Sequence, residues 1–519
     1  MLSDKIRRCA EHYPHKVAYY QGDRSKTWEQ VYTRAKALAG GLQAMGVKPG
    51  DCVAIVAKEC IEVYEHFYAC MLIGAVRVGV NWRYSPREMM HVISNSNVSV
   101  CIIQDGCLPL IEPILDKVSD KGCQLIGLGD NHGLSSDYDT IIEDDKPCDV
   151  VQVDDDAPLL ITYTSGSTAE PKGVVLSHLA VETEIVVVQT YFCLGGGDVY
   201  YNPAQSAWVA VIGGIFGLAS GLTTVIPHDL FEMNNYINDV KRRKVTSGLL
   251  VPAMMQRLLD LKDDITDELD SLKKVVYGSA PSTPTMIRAF NEAFGVDLIQ
   301  LYGMTECCSW AAFLTPDDHH LAFEGEAQLL KSCGRFGSHV DFRICDEDGN
   351  EVPVGESGVL WLKGDNIMTE YINLPEETGE VLKSDGWLLT NDLGYVDENR
   401  YFYITDRKKS LINSGGVNIF PSMVEAIISE MPEIRMVSVV GIPHPQWGEA
   451  VTAAVEVYDT DADPEEIKKK VFEYCYANLS KLESPKHVEI MDAVPLTYSG
   501  KLDKNNLRKI IVENKLTDW

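Results

Sequence analysis

Residues 161–178 read ITYTSGSTAEPKGVVLSH. Thr164, Ser165, Ser167 and Thr168 place four hydroxyls around Gly166, and Lys172 follows closely. A loop of small residues can turn backbone N–H groups and hydroxyls onto one anion, and a nearby ammonium adds charge. Phosphate suits that donor set. The usual triphosphate loop is not matched, because counting from Gly166 its second glycine falls on Pro171. Ser, Thr and Gly also make plain turns. What sets this stretch apart is its position. It leaves the apolar run PLLIT, read as a buried strand, and enters the apolar GVVLSH.

Three more side chains can do chemistry beside a phosphate. Glu306 closes QLYGMTE, and its carboxylate can ligate magnesium through oxygen. Asp392, in WLLTNDLG, either caps a turn or accepts two hydrogen bonds from a ribose diol. Lys501, in PLTYSGKLDKNNLRK, reads by itself as a solvated lysine.

The elements that must hold these groups can be read from periodicity. Thr27 to Gln30 form a capping box ahead of Val31, Ala35, Leu38 and Leu42. Ser85, Pro86 and Glu88 repeat the start signal. VSVCIIQD, SGLLVP, KKVVYGSAP and VDLIQLYG read as buried strands, so helices and strands alternate through the first 300 or so residues. That alternation predicts an α/β fold with largely parallel sheets, whose ligands sit at the carboxyl ends of strands. From about residue 334, short strands and the turn signals DEDGN and PVGESG predict a small antiparallel region. Beyond YFYITDRKKSLINSGGVNIFP, strands MVSVVGIP, AVTAAVEV and HVEIM and a helix capped by Asp463 predict a small α+β domain.

Composition sets bounds. The chain has 519 residues, 45% of them hydrophobic, enough for two or more domains. A formal net charge of -30 disfavours nucleic acid and anionic membranes as partners. Fourteen scattered cysteines without a CxxC pair indicate a reduced, cytoplasmic protein and no zinc site. Residues 207–226, AWVAVIGGIFGLASGLTTVI, carry no charge. Without flanking cations they read as a buried helix followed by a strand, and no stable membrane span is expected.

Taken in order, YTSGSTAEPKG, QLYGMTE, TNDLG, TDRKKSLINSGG and PLTYSGK resemble the motifs of the adenylate-forming superfamily, across nearly the whole chain. That superfamily includes acyl-CoA and aryl-CoA synthetases, peptide-synthetase adenylation domains and beetle luciferases. The resemblance implies a large N-terminal domain of stacked, mostly parallel sheets with helices and a small β-barrel region, residues 1–406. It implies a small mobile α+β C-terminal domain, residues 407–519, hinged near Lys409. Thr164 to Thr168 would wrap the β- and γ-phosphates of ATP, with Thr168 and Glu306 at magnesium and Lys172 at the loop's end. Ser279, Ala280 and Pro281 would pack along the adenine, with Tyr302 stacked on it and Gly303 and Met304 beside it. Thr305 would contact the α-phosphate, and Asp392 and Arg407 the ribose. Lys501 would bridge the acid's carboxylate and the α-phosphate. Ser414, Gly415 and Gly416 would line a pantetheine tunnel, with GIPHPQWGE favouring coenzyme A.

These roles suit the chemistry. A carboxylate attacks the α-phosphorus of ATP, giving an acyl-adenylate and pyrophosphate. Two anions meet, so a lysine and magnesium in a closed site lower the barrier. A thiol then takes the acyl group. Trp208, Val209, Gly213, Gly214, Cys307 and Trp310 are the expected acyl pocket, with Ser206 where relatives often carry an aromatic or histidine gate. These stretches contain no cation, which predicts an apolar aliphatic or aromatic monocarboxylic acid. The alternatives are a ligase that loads a carrier protein, a luciferase-like oxygenase and a non-catalytic nucleotide binder. Oligomeric state, monomer or homodimer, is left open.

Overall fold

The computed structural model describes residues 2–164, 170–228, 231–407, 411–414, 417–497 and 502–514, apart from the side chains of residues 406, 407 and 418. Among these residues two large sheets carry most of the chain. One has nine strands, in the order Arg335–Phe336, Ala312–Leu314, Asp297–Tyr302, Lys274–Gly278, Ser247–Leu250, Val199–Tyr201, Thr223–Ile226, Val17–Gln21 and Arg24–Thr27. The other has eight: Glu370–Tyr371, Lys172–Ser177, Pro158–Thr164, Val76–Val80, Cys52–Val56, Val98–Gln104, Gln124–Leu128 and Ser136–Asp137. The central strands of both pair in parallel. CVAIV and VRVGV are buried at every position, as strands covered on both faces are.

Helix Ile61–Ile73 is buried along its whole length and joins strands Cys52–Val56 and Val76–Val80. Its core cluster draws on both large sheets, including Ile55, Ile102, Tyr200 and Ile299. A helix buried on all sides needs such an enclosed place, and its few polar side chains, Glu62, Glu65 and His66, are buried with it. The capping boxes read at Thr27 and Ser85 both form.

The region expected as a small β-barrel is a four-stranded antiparallel sheet of Val340–Cys345, Gly358–Gly364, Leu388–Val396 and Phe402–Arg407. Toward the C-terminus, strands Ile412–Ser414, Val417–Ile419, Ile434–His444, Gly448–Val457 and His487–Ile490 form a five-stranded sheet. It packs against helices Pro421–Ile428, Pro464–Asn478 and Lys504–Glu513 over cores of its own.

One expectation needs correction. Residues 207–226 do not form one helix before their strand. Val209–Ile215 is a 3₁₀ turn, Gly217–Ser220 a single helical turn, and Thr223–Ile226 the buried strand. The glycines that weaken a regular helix here allow close packing. A Cβ on Gly214 would stand 2.0 Å from the Tyr64 ring. Among the described residues no helix is long and apolar enough to cross a membrane.

Candidate active site

The hydroxyl-rich loop joins two antiparallel strands, with Thr164 paired to Lys172 across its base. Its flanks are therefore the carboxyl end of Pro158–Thr164 and the start of Lys172–Ser177. Ser165, Gly166, Ser167 and Thr168 lie outside the described residues, as do Lys409, Gly415, Gly416 and Lys501. Leu496, within PLTYSGK, and Leu502, just after it, pair in an antiparallel bridge.

Lys172 and Glu306 meet through a residue that sequence reading missed. The Lys172 ammonium stands 5.3 Å from the centre of the Tyr371 ring. The Tyr371 hydroxyl donates to Glu306 Oε1 at 2.7 Å. Tyr371 reaches this place because the two-residue strand Glu370–Tyr371 pairs with Lys172–Ser177. Burial, with Glu306 beside it, holds the Tyr371 phenol well above its ordinary value, so it stays a donor. Glu306 is itself buried, and its carbonyl accepts from the Met368 N–H at 2.9 Å.

Tyr302 and Asp392 form a second pair. The Tyr302 hydroxyl donates to Asp392 Oδ2 at 2.5 Å, and the Tyr302 ring packs on Phe402 with 5.4 Å between centroids. Burial first, then the Asp392 charge, pushes the Tyr302 phenol up. Asp392 is buried in strand Leu388–Val396 and sits opposite Arg407 in the adjacent strand. Thr305 and Glu306 lie on the 3₁₀ turn Thr305–Cys307, three residues after Tyr302.

Backbone strain gathers around these groups. Ser279, Cys308, Ser309 and Asn391 all have positive φ, at 67°, 57°, 116° and 62°. Non-glycine residues rarely adopt such angles, and those that do cluster at functional sites. Ser279 opens the SAP turn at the end of strand Lys274–Gly278, and Asn391 precedes Asp392. Gly303 and Met304 form the turn between Tyr302 and Thr305. A Cβ on Gly303 would lie 1.9 Å from the Ser309 carbonyl oxygen, so only glycine fits.

The expected pocket residues each have their own packing partners. Trp310 is buried against Phe192 and Phe216, at 5.3 and 5.5 Å between centroids. Through Phe216 it joins the segment that begins at Val209. Trp208 turns instead toward Tyr84, edge-on at 6.5 Å. Gly213 packs on Asn202, whose Oδ1 would lie 3.1 Å from an added Cβ. The Cys307 thiol donates back to the Met304 carbonyl at 3.3 Å, inside its own turn. A second residue missed from sequence, Asn366, fixes that turn by donating to the carbonyls of Cys307 and Trp310, at 2.9 and 3.2 Å. A cation also meets the segment. Arg77 arrives from strand Val76–Val80, so the absence of cations holds along the chain and not in space. All 14 cysteines are free thiols.

The two large α/β sheets and the smaller C-terminal sheet carry the motif series of an adenylate-forming enzyme. The chain belongs to the AMP-binding enzyme family, which residues 6–372 match, while residues 423–501 match the AMP-binding enzyme C-terminal domain. It is 30% identical to an indoleacetate–CoA ligase of Aromatoleum aromaticum, over 98% of each chain. It is also 30% identical to the fatty acid–[acyl-carrier-protein] ligase ScoC of Streptomyces coeruleorubidus, over 96% of this chain and 94% of the other. The solved amide bond synthetase McbA of Marinactinospora thermotolerans superposes with a TM-score of 0.86 at 27% identity, covering 98% of this chain and all of that one.

Proposed function

We propose that this protein is an AMP-forming acid:CoA ligase. It activates an apolar aliphatic or aromatic monocarboxylic acid with ATP and passes the acyl group to coenzyme A. The observation that carries this reading is the link from Lys172 through Tyr371 to Glu306. It joins a phosphate-type loop to a carboxylate suited to magnesium. Among the described residues no group of three or more His, Cys, Asp and Glu could hold a metal. A single carboxylate completed by phosphate oxygens and water is how magnesium binds nucleotides. Magnesium held at Glu306 and Thr168 would neutralise phosphate charge.

In this reading the loop from Thr164 to Thr168 and Lys172 hold the β- and γ-phosphates. Thr305 meets the α-phosphate. Asp392, oriented by Tyr302, and Arg407 take the ribose diol, and Ser279, Ala280 and Pro281 flank the adenine. Lys501 carries the cation that draws carboxylate and α-phosphate together. The C-terminal domain, residues 407–519 with a hinge near Lys409, swings to bring Ser414, Gly415 and Gly416 to the pantetheine arm.

The relatives named above favour one other acceptor class, a carrier protein, and one, the amide synthetase, transfers to an amine. Pyrophosphate release screened over carboxylic acids with ATP and magnesium tests the first half-reaction. Adding free CoA, a phosphopantetheinylated carrier or an amine separates the acceptors. Thioester formation with free CoA is expected. Acid-dependent pyrophosphate release followed by transfer only to the carrier or amine would overturn CoA as acceptor, and release with amino acids alone would overturn the substrate class.

A further inference from the structure

Ser206 stands at the head of the 207–216 segment, and its peptide is gripped from two sides. The Ser206 N–H donates to Glu59 Oε1. The Ser206 carbonyl accepts from Arg77 Nη2 at 2.8 Å. Glu59 follows strand Cys52–Val56 and is 4% exposed, while Arg77, in strand Val76–Val80, is fully buried. The next carbonyl, of Ala207, accepts from Thr162 Oγ1 at 3.2 Å, two residues before Thr164. A Cβ on Gly79 would come within 2.9 Å of the Ala207 Cα and 3.0 Å of the Ser206 carbonyl oxygen. The 206–207 peptide therefore rests on two strand ends, beside the base of the candidate phosphate loop.

An apolar pair of similar volume would fill this space at lower desolvation cost than two buried charges. What the charged pair adds is an acceptor and a donor at fixed points on the two peptide groups that flank one residue, Ser206. Arg77 Nε and Nη1 and Glu59 Oε2 make no close hydrogen bond among the described residues, and the Arg77 guanidinium also lies over the Phe67 ring, 5.5 Å from its centre.

We propose that Glu59 and Arg77 are positioning residues for the acid substrate: by holding the N–H and the carbonyl of Ser206 they fix the start of the acyl-pocket segment and set affinity for the acid, not for ATP. This rests on the ligase reading above. The grip is sensitive to protonation. Burial pushes the Glu59 carboxyl up to about 7, against the pull of the Ser206 hydrogen bonds and the Arg77 charge. The groups facing it do not change charge in that range. Burial lowers Arg77 only to about 10, and holds Tyr64 of helix Ile61–Ile73 and the adjacent Cys60 well above their ordinary values. An ionised carboxylate accepts the Ser206 N–H more strongly than a neutral acid does. Acid affinity should therefore weaken as pH falls through 7.

The test measures KM for a turned-over acid and for ATP by pyrophosphate release, from about pH 6 to about pH 9, a range that brackets the carboxyl's titration. In the wild type the acid KM rises at the lower end and the ATP KM does not. Glu59→Ala raises the acid KM about tenfold, the scale of one lost hydrogen bond to a charged group. Glu59→Gln keeps an acceptor oxygen, so it recovers most of the affinity and flattens the pH profile. Arg77→Met moves the profile's midpoint to higher pH. Acid KM values indifferent to all three substitutions would overturn the proposal, as would equal losses for acid and ATP with a lowered Tm. A wild type without acid-dependent pyrophosphate release would overturn the ligase reading and this proposal together. An active wild type with indifferent variants would overturn the proposal alone.

Discussion

Tyr371 carries the most weight for a residue that no motif announced. It lies in NIMTEYINLP, and only the pairing of a two-residue strand with Lys172–Ser177 delivers it between Lys172 and Glu306. Tyr371→Phe keeps a ring face for the Lys172 ammonium and removes the donor to Glu306. Losing a hydrogen bond to a charged group costs about 1.5–3 kcal/mol, so the rate of pyrophosphate release should fall roughly tenfold to a hundredfold. The acid KM should not move. Unchanged release kinetics at varied magnesium would show that the hydroxyl does not orient Glu306. Lys501 makes a different prediction. Removing one preorganised charge-stabilising group costs about 3–4 kcal/mol of barrier. Lys501→Ala should therefore slow adenylate formation roughly a hundredfold to a thousandfold yet spare thioester formation from supplied acyl-adenylate. Equal loss in both steps would contradict the proposed division of labour.

At the level of elements, what could be read from sequence is what local rules decide. The capping boxes at Thr27 and Ser85, the cap at Asp463 and the strand runs ending in Gly278 and Tyr302 all follow from neighbours a few residues apart. The loops read at strand ends, GSAP and YGMTE, do follow strands Lys274–Gly278 and Asp297–Tyr302, whereas Asp392 lies in the middle of strand Leu388–Val396. Contacts between distant segments were beyond such rules. Arg77 and Ser206 are 129 positions apart, and nothing in VRVGV says which loop its arginine will meet. Likewise the 207–226 stretch was read as a helix, and nothing in it names the Tyr64 ring against which Gly214 packs. Gly303 shows what such packing demands. The chain doubles back from strand Asp297–Tyr302 to Ala312–Leu314, and Ala311 N–H donates to the Tyr302 carbonyl at 2.8 Å. Cys308 and Ser309 take left-handed angles to close that turn. Gly303→Ala pushes a methyl into the Ser309 carbonyl. Overpacking of this kind costs roughly 1–3 kcal/mol or more. Tm should drop, and because Tyr302 and Glu306 flank the turn, both half-reactions should fail together. A variant with wild-type Tm and activity would mean the turn yields freely.

For the whole molecule, buried titratable groups divide into two opposed sets. Burial pushes the Glu59 carboxyl up to about 7 and that of Asp239 to about 6, and holds Glu184 well above its ordinary value. Carboxyls raised in this way favour the folded state as pH falls. Histidines pull the other way. Burial lowers His66 to about 3 and His178 and His319 to about 4. His66 donates from Nε2 to the Val53 carbonyl at 3.1 Å, and the nearby Arg77 charge disfavours its protonation further. A histidine with a depressed folded-state value contributes stability above its unfolded value, which is lost as pH falls toward the folded one. The two sets offset each other, so the pH dependence of the wild type alone cannot separate them. A single variant can. His66→Gln keeps a donor for Val53 and removes one proton-binding group. Between about pH 7.5 and about pH 5 the unfolding free energy of the variant, relative to wild type, should improve by about 2 kcal/mol. Urea unfolding of both proteins at the two pH values measures that difference directly. A difference that does not change with pH would mean His66 takes up its proton in the folded state, and that helix Ile61–Ile73 is not sealed from water where the two sheets enclose it.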